Sequence, residues 1–156
     1  MILRLTLCVV LTLIVSAPAD AQCPINQIGF QSYGQGCNGF LPPQLSGSFD
    51  PGSCSLTLVN PGMSNLGNTF PLRRFWIFGL QPANYPLTFL GPSCVSLTSA
   101  DLIEVRAASL GNTATFVIPP WFFPGLQIYA QGATEYFATI GQGFVQFTDG
   151  LQMTMQ

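Results

Sequence analysis

Five carboxylates lie beyond residue 21: Asp50, Asp101, Glu104, Glu135 and Asp149. Two of them converging on a cleft would suffice for glycoside hydrolysis, one as acid and one as base or nucleophile. No pair falls in a recognisable motif. Asp50 and Asp149 each stand beside a turn signal, Asp50-Pro-Gly52 and Asp149-Gly150. Asp101 and Glu104 flank or lie on a short apolar run near Arg106, and Glu135 sits beside Tyr136 and Phe137 as a solvated strand position. Serine catalysis has no base to draw on: the chain contains no His and no Lys, and no G-x-S-x-G occurs. Beyond the N-terminal segment the cysteines are Cys23, Cys37, Cys54 and Cys94. Their even number suggests two disulfides, with three connectivities open, and pairing would remove any free thiol. Zinc would need four scattered thiolates with no C-x-x-C pair, and calcium would need an acidic cluster that is absent. The expectation is therefore no enzyme, no metal and no cofactor.

What remains is binding. Trp121 and Phe122 sit in a proline-bracketed loop, and Tyr136 lies further along the chain. Exposed aromatics on a β-sandwich can stack on sugar rings at low entropic cost. Large rings are more commonly buried, so the competing expectation is that both loop rings cap the open end of the core. Arg73-Arg74 at a strand entrance reads as an ionic contact or as a solvated edge that discourages pairing, the edge being favoured. With a net charge of −2 there is no electrostatic footprint for nucleic acid. A polysaccharide or a component of the cell envelope is the partner class left open.

The elements that must carry these residues read as strands. The organising stretch is 113–132, two apolar strands around Pro119, Pro120 and Pro124. Phe116 and Ile118 share one face, as do Leu126, Ile128 and Ala130, with Gln127, Tyr129 and Gln131 opposite. Proline offers no donor to a ladder, so these residues turn the chain. Further strands are expected over 43–49, 54–60, 73–80, 86–90, 93–99 and 102–107, with 81–85 as a turn. The segments 144–148 and 151–155 read as a hairpin across Asp149-Gly150, a dipeptide suited to a type I′ turn. Residues 22–32 show little periodicity and read as an arm held by Cys23, ahead of a glycine-rich turn at 33–39 that lacks the lysine and helix of a phosphate loop. No window carries sustained helical periodicity with caps. The expected fold is an all-β, two-sheet antiparallel sandwich of roughly nine or ten strands, stapled by disulfides.

The 156 residues suffice for one domain with a core, 33–156. Hydrophobic residues make up 48% and charged residues only 6%, yet past the N-terminus no apolar run is long enough to span a bilayer. Residues 1–21 read as a signal peptide: Arg4, an apolar segment from Leu5 to Val15, and the small-x-small site Ala19-Asp20-Ala21. Gln22 rather than a small residue precedes Cys23, which speaks against a lipid anchor. Export follows, either to the cell envelope or to the medium.

Several motifs also occur in a telling order. Tyr33-Gly-Gln-Gly-Cys-Asn-Gly39 fits the pattern YGxGCxG, Phe78-Gly79-Leu80 fits a strand end LGLS, and Pro92-Ser-Cys-Val-Ser-Leu97 fits PGCxL. Residues 116–131 fit F-x-I-P…L-x-G…Q, with Phe123, Gly125 and Gln131 at the last three positions. Thr148-Asp-Gly-Leu-Gln-Met-Thr154 fits a closing TNGLxxTI. From Tyr33 to the C-terminus the chain thus resembles a secreted β-sandwich module recurrent in planctomycetes and related bacteria. The resemblance implies export without an established activity, an apolar core position for Phe123, and a bridge between Cys37 and Cys94, leaving Cys23 with Cys54. Pro120-Trp-Phe-Phe123 departs from the family, which carries a short polar, Asp-containing loop there.

Overall fold

The computed structural model describes residues 23–37, 43–62, 69–88, 94–138, 141 and 143–156. The expected signal peptide at 1–21, Asn38 and Gly39 of the glycine-rich turn, and 89–90 of the expected extended piece at 86–90 lie outside these, while Pro86 ends β5 and 87–88 are not strand. Ten strands follow in order: β1 (Ile28–Tyr33), β2 (Ser46–Asp50), β3 (Ser55–Val59), β4 (Thr69–Gly79), β5 (Pro82–Pro86), β6 (Val95–Thr98), β7 (Leu102–Ala107), β8 (Thr113–Val117), β9 (Gln127–Ala138) and β10 (Gly143–Met155). The one helical turn among the described residues is the 3-10 segment Ala108–Leu110. All pairings are antiparallel. The fold is all-β.

A five-stranded sheet, β1-β10-β9-β4-β7, forms the centre. The three-stranded sheet β2-β3-β8 covers one face, and the β5-β6 hairpin lies on the other. Side-chain alternation dictates this layering. On β4, Trp76 joins Leu56, Leu58 and Ala114 of the three-stranded sheet, while its neighbour Ile77 joins Cys37 and Cys94 beside the hairpin. A strand covered on both faces cannot show clean polar alternation, and β9 is buried almost throughout from Ile128 to Thr134. Its Gln131 is fully buried as a clamp. The amide accepts from Leu97 N at 2.9 Å and donates to Thr148 O at 3.0 Å and Val95 O at 3.3 Å, fastening the hairpin layer to the central sheet. Gly132 beside it is required by packing, since a Cβ there would lie 2.9 Å from the Asn60 side chain.

Four expectations are corrected. Asp149-Gly150 is no hairpin turn: β10 is one strand of 13 residues pairing along its length with β9. Phe147 faces Ala133 and Gly150 faces Gln131, so β10 carries one extra residue between them, a β-bulge. The bulge inverts the alternation. Val145 and Phe147 therefore pack toward the hairpin, while Leu151, Met153 and Met155, also odd-numbered, pack into the sandwich. Second, the arm at 22–32 ends in a true strand, because β1 pairs with β10 from Ile28↔Met155 to Tyr33↔Gly150. Its polar Gln31 and Ser32 face solvent at a sheet edge, and that blurs the pattern. Third, 81–85 is not a turn but most of β5, whose prolines sit at its two ends where a ladder tolerates them. Fourth, Arg73-Arg74 is not at a sheet edge. β4 lies between β9 and β7, Arg73 Nε donates to Glu135 at 2.5 Å, and Arg74 reaches Asn60 O at 2.5 Å.

Cys23 is bonded to Cys54 and Cys37 to Cys94, with Cα atoms 5.2 and 4.4 Å apart. The first ties the chain ahead of β1 to the β2-β3 turn, and the second ties the chain after β1 to the start of β6. Such bridges belong to an oxidising compartment. Among the described residues no helix is long and apolar enough to cross a membrane.

Candidate functional site

The loop between β8 and β9 is built from two tight turns. Phe122 N donates to Pro119 O at 3.1 Å and Leu126 N to Phe123 O at 3.2 Å. Gly125, at φ 91°, lets its N–H reach Met155 O at 2.9 Å, a backbone conformation in which a side chain would be strained. Pro119 and Pro120 end the β8 ladder, so the aromatic triplet is carried outward over the end of the sandwich.

Below it opens a cavity of about 420 Å³ between the two sheets. Its floor is Leu56, Phe78, Phe116, Ile128 and Met153. Phe78 and Phe116 meet edge to face at 5.1 Å, bridging β4 and β8. The rim is Trp121, Phe123, Leu80 and Leu102, all exposed. Trp121 is 69% exposed and packs on the half-buried Phe122 with ring centroids 4.5 Å apart. Phe122 caps the core, as expected of such rings, while Trp121 does not. Phe123 is 58% exposed, so it does not take the core position that the family resemblance implies. The triplet holds too many large apolar groups for one cap, and the turn at Pro119–Phe122 can direct only its middle ring inward.

Asp101 is the one charged residue lining the cavity. Its carboxylate accepts from Leu80 N at 2.9 Å and Ser99 Oγ at 2.7 Å, and these bonds hold its pKa below the usual carboxylate value. Both bonds fall on one oxygen, Oδ2. Arg106, which the motif reading did not single out, walls the flank between β7 and β8. Its guanidinium lies 5.7 Å from the rings of both Trp76 and Phe116, and its Nε donates to Glu104 at 3.1 Å. Its only sequence signal is the Glu104-x-Arg106 spacing, which places both charges on one face of a strand.

Tyr136 is not part of this site. It lies eight residues beyond Ile128 on β9, about 26 Å away along the strand. It is buried and stacked on Phe144 at 5.1 Å. The other carboxylates are dispersed and engaged. Asp50 accepts from Gly52 N and Ser53 Oγ and is pulled down by them, chiefly by Ser53. Glu135 is held below its usual value by Arg73. Asp149 lies buried in the β10 bulge and accepts from Leu45 N at 2.8 Å, yet burial outweighs its hydrogen bonds and pushes its pKa up. No group of three or more potential metal ligands occurs among the described residues. Comparison with family models, with curated proteins and with solved structures finds no match for this chain.

Proposed function

We propose that this chain is an exported, non-catalytic interaction module, acting at the cell envelope or outside the cell, that receives an apolar group in the cavity beneath Trp121. The cavity carries this reading. Its volume falls in the range of small-molecule pockets, ~300–1,000 Å³, and its walls are almost wholly apolar, the one charged lining residue being Asp101, whose Oδ2 is already bonded to Leu80 N and Ser99 Oγ. An acyl chain or an apolar side chain satisfies such walls, whereas most hydroxyls of a sugar would be left unpaired. The signal-peptide pattern of residues 1–21 and the two disulfides support export. The resemblance to the secreted planctomycete module supports the same reading. Each described carboxylate has its own local partner, which supports a non-catalytic role.

Carbohydrate binding is the second reading, favoured by the ring surface that Trp121 and Phe123 present to solvent. Calorimetric titration with a series of straight-chain alcohols, and separately with soluble oligosaccharides, distinguishes the two. Saturable alcohol binding that strengthens with chain length is expected, weakened about tenfold or more in Trp121→Ala. Trp121→Ala should melt like the parent protein, because the ring is outside the core. Binding of oligosaccharides alone would transfer the site to the second reading, and binding of neither would sink both.

A further inference from the structure

Four strands bear the free edges of the two larger sheets, and β7 is unlike the rest. β1 shows Gln31 and Ser32 to solvent, β2 is rich in Ser, and β8 exposes Thr113 and Thr115 with a single large apolar residue, Val117, at its end. β7 instead exposes Leu102 at 62%, Ile103 at 51% and Val105 at 47%, on both of its faces. Of the usual guards of an edge it has only the charges of Glu104 and Arg106, being six residues without lysine, proline or bulge. Its partner β4 occupies one side, and no described strand pairs with the other.

Its two charges specify what would fit there. Glu104 and Arg106 lie on one face, joined by the 3.1 Å contact within the strand. In an antiparallel pair of two β7 strands related by a two-fold axis through Val105, Glu104 of each lies opposite Arg106 of the other. The four charges then close a ring in which every neighbour is of opposite sign. Val105 faces its own copy, and Ile103 faces Ala107. Shifting the register so that the axis passes through Glu104 would set two carboxylates against each other, which is unfavourable.

We infer that β7 is a self-association edge, and that two copies of this chain pair through it in this register, joining their central sheets into one continuous ten-stranded sheet. Such an isologous contact is closed and stops at the dimer. Leu102 lies at the end of the paired stretch, so the cavity mouth stays open in the dimer.

Sedimentation velocity over a concentration series tests this with the mature chain. A reversible dimer is expected. Val105→Lys, which sets two cations opposite each other on the axis, and Glu104→Arg, which sets arginines opposite one another, should each weaken association at least tenfold. Both positions are solvent-facing enough to keep the fold, which circular dichroism monitors. Mild oxidation reads the register itself: Val105→Cys should cross-link two chains, and Ile103→Cys should not. A protein that stays monomeric at its highest soluble concentration overturns the inference. So does a dimer indifferent to Val105→Lys, or one cross-linked through Ile103→Cys in preference to Val105→Cys.

Discussion

Single residues in this chain owe their character to what surrounds them. The two tryptophans show it: Trp76 is fully buried between the sheets, while Trp121 stands exposed at the cavity rim. Asp149 is the clearest electrostatic case. Burial raises its pKa above the ordinary aspartate value. A raised folded-state pKa means the folded chain holds the proton more tightly than the unfolded chain does. The stabilising contribution is full below the unfolded pKa and is lost as pH rises through the folded one. Asp50, Asp101 and Glu135 run the other way, since their lowered values favour folding as pH rises. Asp149→Asn retains an acceptor for Leu45 N and cannot ionise. Melting curves across the acid range should therefore show this variant gaining on the parent as pH rises through the raised Asp149 pKa, then running parallel to it. A difference that stays flat with pH would contradict the burial of this carboxyl.

At the scale of elements, the bulge in β10 decides which residues meet. Val145 and Phe147 lie on one side of the central sheet, and Leu151 and Met153 on the other, although all four are odd-numbered. A strict period-two reading joins both runs to one face or parts them at a turn, and Asp149-Gly150 supplies an inviting turn. The extra residue is visible only against β9, where Phe147 and Gly150 face Ala133 and Gln131. Deleting Thr148 should restore unbroken alternation and drive one half of the strand's side chains to the wrong layer. The expected result is an insoluble or molten product with lost near-ultraviolet circular dichroism. A soluble, native-like deletion variant would show that the bulge is dispensable. By comparison, 102–107 and the alternating Leu56 and Leu58 were legible because each is covered on one face only, or is an edge.

For the molecule as a whole, three layers are held by two bridges that close 31 and 57 residues. In the chain-entropy account each contributes about 4 kcal/mol. A Cys37→Ser, Cys94→Ser double variant should lose most of that and melt markedly lower, because the bridge lies in the cluster beneath the β5-β6 layer. An unchanged melting temperature would show that the hairpin layer is held by packing and the Gln131 clamp alone.

Composition and alternation were enough to establish an all-β chain with few charges, because strand formation rests on local patterning and turn chemistry. They also singled out the proline-bracketed aromatic triplet as an unusual feature of the chain. They could not assign Trp121, Phe122 and Phe123 to rim or core, separate Tyr136 from that site, or move Arg73-Arg74 from an edge to an interior strand. Those outcomes depend on which strands lie side by side, on a one-residue bulge, and on what covers each face. They arise from contacts between segments distant along the chain, which no local window contains.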